Sequence, residues 1–289
     1  MIRGGMQKEQ EYRMQFEIQA HRGARAFFPE NTLQAFCKAA DLGVRVIELD
    51  VVVSADHRLL VSHDPWIGGP LCTAPDGSRL SSDEGDRRLI YSMRYEDIAM
   101  FGCGVPDPCF PRQQEIVSCK PLLQDVFRGI RAHLHSSSLS GPMIFNIELK
   151  SWPQGDNLLH PPPDVYAGII VQELRSQVPA SIVRVQSFDR RLLVEIWRRY
   201  PDLCFGFLAD RAGSLEPFPW EPGFVPAYVN PCFTLLDHEL VERLHHAGVR
   251  VIPWTVNNPD DMLAMKHMGA DGIITDHPEL ALRLPGLFS

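Results

Sequence analysis

The sequence predicts an α/β protein of the (β/α)8 TIM-barrel class, with a small inserted capping segment. Three observations carry this. Eight short β-branched or apolar runs recur along the chain, helical patterns fill most of the gaps, and 289 residues suit one barrel of about 250 residues plus an insertion. Strand followed by helix, repeated, gives a parallel sheet covered by helices, and eight repeats favour closure. We therefore expect one domain over residues 1–289, interrupted by an insertion at about 65–120.

The strands are predicted at Glu17–His21, Val44–Val53, Pro142–Lys150, Ser181–Ser187, Leu203–Ala209, Pro226–Asn230, Val249–Val256 and Gly272–Thr275. Val51–Ser62 reads as two extended runs around the polar turn Ala55-Asp56-His57, a hairpin added to the second strand. Helix ends are legible where polar caps and glycines fall. Asn31-Thr32-Leu33-Gln34 resembles a capping box, with Gly43 as the stop; Asp237 and Gly248 bracket a second helix. A third opens at Asn258-Pro259, with proline at the first helical position, and ends at Gly269. From 65 to 120 the composition turns to Pro, Gly, Cys and charge, with one helical pattern near Tyr95–Phe101. A segment that long between barrel strands belongs over the mouth of the barrel.

Charge narrows the function. The net charge is −8, with a pI near 5.8, so the basic surface that binds a nucleic-acid backbone is missing. A small phosphodiester is still compatible, because a bound cation reverses the local field. The seven cysteines form no CxxC pair and read as reduced thiols of a cytoplasmic protein. Met1–Gln15 is polar without an apolar core, and no run of about 18 apolar residues occurs, so stable membrane insertion is not expected.

Catalytic groups of such barrels sit at the C-terminal strand ends. Four ends stand out: His21-Arg22-Gly23, Glu48-Leu49-Asp50, His63-Asp64 after the hairpin, and Glu148-Leu149-Lys150. Residues two apart on a strand share a face, so Glu48, Asp50 and Glu148 converge on one volume. Three anions in so small a space call for a cation, and an oxygen-only ligand set favours a single Mg²⁺ or Ca²⁺. His21 and His63 are the acid/base candidates, with either assignment open. Arg22 and Lys150 offer fixed positive charge to phosphate oxygens.

Each has a plainer reading. A single Glu-x-Asp is usually a solvated face, Gly23 serves a turn, and Lys150 pairs with Glu148 as a structural ion pair. Asn31 caps a helix or touches the site, and Trp254 is either buried core or a cavity wall. His238-Glu239 with His245-His246 lacks the spacing of a zinc protease, since position 242 is glutamate; those histidines belong on a helix surface.

The ordered set of His21-Arg22-Gly23 with Pro29-Glu30-Asn31-Thr32, Glu48-Leu49-Asp50-Val51, His63-Asp64, Glu148-Leu149-Lys150, Gln186-Ser187-Phe188, Trp254-Thr255-Val256-Asn257 and Thr275-Asp276 resembles the glycerophosphodiester phosphodiesterase family over roughly residues 17 to 280. The resemblance implies hydrolysis of a small-molecule glycerophosphodiester to glycerol 3-phosphate and an alcohol on a TIM barrel. It assigns the metal to Glu48, Asp50 and Glu148, acid/base chemistry to His21 and His63, and phosphate binding to Arg22 and Lys150. Trp254 becomes an apolar wall for the glycerol or leaving group. Attack by the substrate's own hydroxyl through a cyclic phosphate and direct attack by water both stay open. The rivals are a phospholipase C or sphingomyelinase-D-like lipid phosphodiesterase, and a binding protein without turnover. Asp276 is read as a helix cap or a partner of the turn before Pro278, outside the site.

Overall fold

Strands that helices cover on one side and that face a filled barrel on the other should be apolar along their whole length. The second strand shows this, with all eight residues of Val46–Val53 buried, Glu48 and Asp50 among them. The computed structural model describes residues 16–139, 141–215 and 221–288; the polar Met1–Gln15 segment lies outside them.

Nine strands are described: β1 (Glu17–Ala20), β2 (Val46–Val53), β3 (Leu59–Val61), β4 (Ile144–Leu149), β5 (Val183–Ser187), β6 (Cys204–Ala209), β7 (Tyr228–Pro231), β8 (Arg250–Val251) and β9 (Gly272–Thr275). All except β3 pair in parallel, in the order β8-β7-β6-β5-β4-β2-β1-β9. Between the ends of that order, Asp271 N–H donates to Val251 O at 2.8 Å, Ile274 N–H to Pro253 O at 2.9 Å and Val256 N–H to Ile274 O at 2.9 Å. The result is a nearly closed barrel of eight parallel strands, the predicted fold class. Strand β3 runs antiparallel to β2, with Val51 opposite Val61, as the hairpin reading requires.

Strand β8 is shorter than the expected Val249–Val256 because Pro253 has no N–H for a ladder. Helix α1 (Leu33–Asp41) starts at Thr32, whose hydroxyl accepts from Ala35 N–H. The capping box expected from Asn31 to Gln34 does not form, since the third helical position holds Ala35, which cannot reach back. A full box forms instead between Ser81 and Glu84, at the start of α2 (Ser82–Asp86) in the insertion. The insertion also holds α3 (Tyr95–Ile98), at the predicted helical pattern.

Among the remaining helices are α4 (Leu123–Ser136), α5 (Pro163–Gln177), α6 (Arg190–Arg199), α7 (His238–His246), α8 (Pro259–His267) and α9 (Pro278–Ala281). Asp237 and Asn258 cap α7 and α8 as read from the sequence. One large apolar core joins strands to helices, and a second, smaller one built on Ile67, Leu80, Ile90, Ile98 and Phe101 lies within the insertion against Val52 and Leu60. That second core fixes the insertion on the β2–β3 hairpin, beside the C-terminal end of β2 where the polar residues gather.

Candidate active site

Strand β1 ends in a tight turn. Gly23 N–H bonds to Ala20 O at 3.1 Å, with φ of 54° at Arg22 and 86° at Gly23. A Cβ at position 23 would lie 2.8 Å from the Ala35 backbone, so the turn needs glycine for space as well as for its dihedral. The turn sets His21 against the end of β9, where its Nδ1 lies 2.8 Å from Asp276 Oδ1. An ionised carboxylate only accepts, so Nδ1–H donates and Nε2 is left as the free lone pair. Asp276 is itself held by Asn257, whose Nδ2 donates at 2.7 Å and whose Oδ1 accepts from Asp276 N–H at 2.9 Å. It therefore belongs to the site, not to a helix cap; the cap position of α9 is His277. Burial and the neighbouring Arg22 lower the His21 pKa, outweighing the opposite pull of Asp276 and Asp50.

The parallel register puts Glu48 opposite Asn146 and Asp50 opposite Glu148. One oxygen from each of Glu48, Asp50 and Glu148 lies within 4.8 Å of the others, all three residues buried. Asn31 Nδ2 donates to Asp50 at 2.8 Å, so Asn31 contacts the site; it holds φ of 58°, a backbone state asparagine tolerates. Lys150 Nζ lies 2.8 Å from Asp50 Oδ1 and 2.5 Å from Glu148 Oε1, the ion pairing of its plainer reading. Arg22 spans Glu30, at 2.8 and 2.9 Å, and Asp50, at 3.3 Å.

The charges do not cancel. Glu48, Asp50 and Glu148 face Arg22 and Lys150, one negative charge in excess, while Glu30 is shared by Arg22 and Arg25. Burial, then Asp50 and Glu148, push Glu48 well above the ordinary carboxylate range, while Lys150 and Arg22 overcome burial and hold Asp50 well below it. Asp50 Oδ1 is buried, with Lys150 Nζ 2.8 Å away. An all-oxygen set with negative charge in excess fits a hard divalent cation, the expectation from the sequence.

A cavity of about 150 Å³ opens over these groups, lined by His21, Arg22, Glu48, His63, Glu148, Lys150 and Trp254 among others. His63 Nδ1 is 2.8 Å from Asp64 Oδ1, and His63 also lines a second cavity of about 230 Å³ under the insertion. Trp254 stands on the cavity wall with its Nε1–H on Asn230 O at 2.7 Å. Phe188 meets it edge-on, ring centroids 5.7 Å apart, and forms part of the same wall. Sequence alone gives Phe188 no role and leaves Asp276 outside the site, although both sit in motifs that carry the family resemblance.

Beneath the carboxylates lies a chain of amides. Gln186 Nε2 donates to Glu48 at 3.1 Å, and its Oε1 accepts from Asn146 and Asn230 at 3.0 Å each. Asn146 also donates to Gln19 Oε1 at 2.7 Å, and Gln19 donates to Glu17 at 2.7 Å. Glu17 pairs with Arg184 at 2.6 and 2.8 Å.

The same motifs, now on one barrel mouth, match the model of the glycerophosphoryl diester phosphodiesterase family over residues 21–280. The chain belongs to that family. Membership makes it an enzyme of the phosphodiester hydrolase class. Within the family, a glycerophosphodiester phosphodiesterase from Caldanaerobacter subterraneus subsp. tengcongensis is 29% identical over 268 residues, covering 92% of this chain and 96% of the relative. A solved structure from Silicibacter pomeroyi, provisionally named as a glycerophosphoryl diester phosphodiesterase, aligns with TM-score 0.77 and 28% identity over 92% of this chain and 91% of the other. A phosphodiesterase from Oleispira antarctica, solved with its product sn-glycerol-3-phosphate, shares the fold at TM-score 0.71 and 21% identity, covering 93% and 96%.

Proposed function

We propose that this glycerophosphodiester phosphodiesterase is metal-dependent, works by histidine acid/base catalysis and releases sn-glycerol 3-phosphate and an alcohol. The observation that carries the reading is the buried Glu48, Asp50 and Glu148 trio beside His21 and His63 at one cavity. Mg²⁺ or Ca²⁺ held by the trio would supply Lewis acidity at a phosphate oxygen.

The chain's own groups do the rest. His21, neutral because burial and Arg22 disfavour its charged form, offers Nε2 as the general base to the attacking hydroxyl. His63, its Nδ1 engaged by Asp64, protonates the leaving alcohol. Arg22 and Lys150 turn part of their donor sets from carboxylates to the phosphate as charge builds on it. Trp254, with Phe188, packs against the carbon skeleton of the substrate. The unit we assign this to is the single barrel of residues 1–289, with the 65–120 insertion as its cap. The acidic surface argues against nucleic acid as substrate, and seven free cysteines support a cytoplasmic location.

The test is release of glycerol 3-phosphate from glycerophosphocholine and glycerophosphoethanolamine with Mg²⁺, with Ca²⁺ and after chelation. His21→Ala and Glu48→Ala run alongside. Product that requires metal and both residues supports the mechanism; product that survives chelation ends the metal assignment.

A further inference from the structure

The insertion brings two thiols together across its own backbone. Thr73 and Gly102 form an antiparallel bridge and exchange both of their backbone hydrogen bonds, at 2.8 and 3.0 Å. In that register Cys72 stands directly opposite Cys103, as a pair with no backbone bonds of its own. Such pairs have Cα atoms about 4.5 Å apart, inside the window of about 4.4 to 6.8 Å that disulfides span. The side chains confirm the placement, with the two Sγ atoms 3.1 Å apart although 31 positions separate them in sequence. No backbone movement is needed to join them.

The surroundings favour reaction as well as proximity. Cys72 and Cys103 line the cavity of about 230 Å³ under the insertion, together with Cys119, Lys120 and His63. Both cysteines therefore border the same cavity as His63. Lys120 Nζ donates to Ser62 Oγ at 2.8 Å and has no carboxylate within ion-pair distance among the described residues. Its positive charge is available to a thiolate.

We propose that Cys72 and Cys103 are a redox-reversible modification site, converted by a hydroperoxide to a disulfide that ties the two edges of the insertion together. Cys72 is the attacking sulfur: the hydrogen bond from Cys103 overcomes burial and, with Lys120, lowers its pKa to about 7. Its thiolate attacks one peroxide oxygen, the O–O bond breaks, and the departing oxygen takes up a proton and leaves as water or an alcohol. The product is a Cys72 sulfenic acid. Cys103 then attacks that sulfur, the S–S bond forms, and the sulfenic hydroxyl takes up the Cys103 proton and leaves as water. Two thiols are oxidised and one peroxide is reduced; an external dithiol reverses the change. This inference concerns the insertion alone and stands apart from the hydrolytic mechanism.

The experiment treats the full-length folded protein with equimolar hydrogen peroxide, then denatures it, alkylates free thiols and measures the intact mass. We expect five of the seven cysteines to be alkylated, one peptide pair linking Cys72 to Cys103, and seven alkylations again after dithiothreitol. Cys119→Ser should still form the link, and Cys103→Ser should stop at a Cys72 sulfenic acid that dimedone traps. Seven free thiols after peroxide, or a link from Cys103 to Cys119 instead, would overturn the proposal.

Discussion

Asp276 at the end of β9 holds His21 at the end of β1, with 2.8 Å between Oδ1 and Nδ1. The pair fixes which imidazole nitrogen is free, and that defines a first test. Asp276→Asn offers an amide that fits either tautomer, so the free Nε2 is no longer enforced. We expect kcat to fall by about a hundredfold, within the range such catalysis contributes, with KM nearly unchanged. A variant within twofold of wild type would remove Asp276 from the mechanism.

Glu48 carries an electrostatic cost when the protein is free of metal, because burial and the nearby Asp50 and Glu148 disfavour its charge. Glu48→Gln should therefore raise urea stability in chelator, while abolishing the stabilisation that added Mg²⁺ or Ca²⁺ gives wild type. A loss of stability in chelator would show that Glu48 is held by its hydrogen bonds more than it is opposed by its neighbours.

At the opposite end of the barrel, Glu17 is half-buried, yet its bonds and charge pairing with Arg184 outweigh its desolvation and bring its pKa below the ordinary value. A depressed carboxylate contributes stability that is complete above its unfolded pKa and is lost as pH falls through the folded one. Urea midpoints of wild type should decline as pH drops below about 4.5. Glu17→Gln should lack that part of the decline and, at neutral pH, lose about 3 kcal/mol, because Arg184 keeps its charge without a counter-ion. Parallel profiles for the two proteins would contradict the assignment.

Trp254→Ala removes the indole from the apolar wall and its contact with Phe188. KM should rise about tenfold, equivalent to roughly 1.4 kcal/mol, with a smaller change in kcat. Trp254→Phe keeps a ring but loses the bond to Asn230 O, and should fall between the two. An unchanged KM in Trp254→Ala would return Trp254 to a purely packing role.

What the sequence makes legible is what depends on spacing within a strand. Glu48 with Asp50, and Glu148 with Lys150, follow from a two-residue period, and family resemblance joins them into one site. What depends on register between distant segments is hidden. Thr275-Asp276 reads equally well as the start of a helix until β9 is seen beside β1. Cys72 and Cys103 look like incidental thiols until the Thr73–Gly102 bridge sets them opposite each other. Gln34 is of the right type for a reciprocal cap, but the helix is capped by Thr32, one residue too late for it.

The amide chain from Arg184 through Glu17, Gln19, Asn146 and Gln186 to Glu48 runs the height of the barrel, and each link has a direction. Glu48 can only accept, so Gln186 must present its nitrogen upward and its oxygen downward; Asn146 must then donate on both sides. No amide in the row can rotate alone. The handedness of this wiring is set by the arginine at the floor, so a polarity reversal at Asn146, such as Asn146→Asp, would be felt at the mouth as a carboxylate turned to a different face, by a residue that never meets substrate.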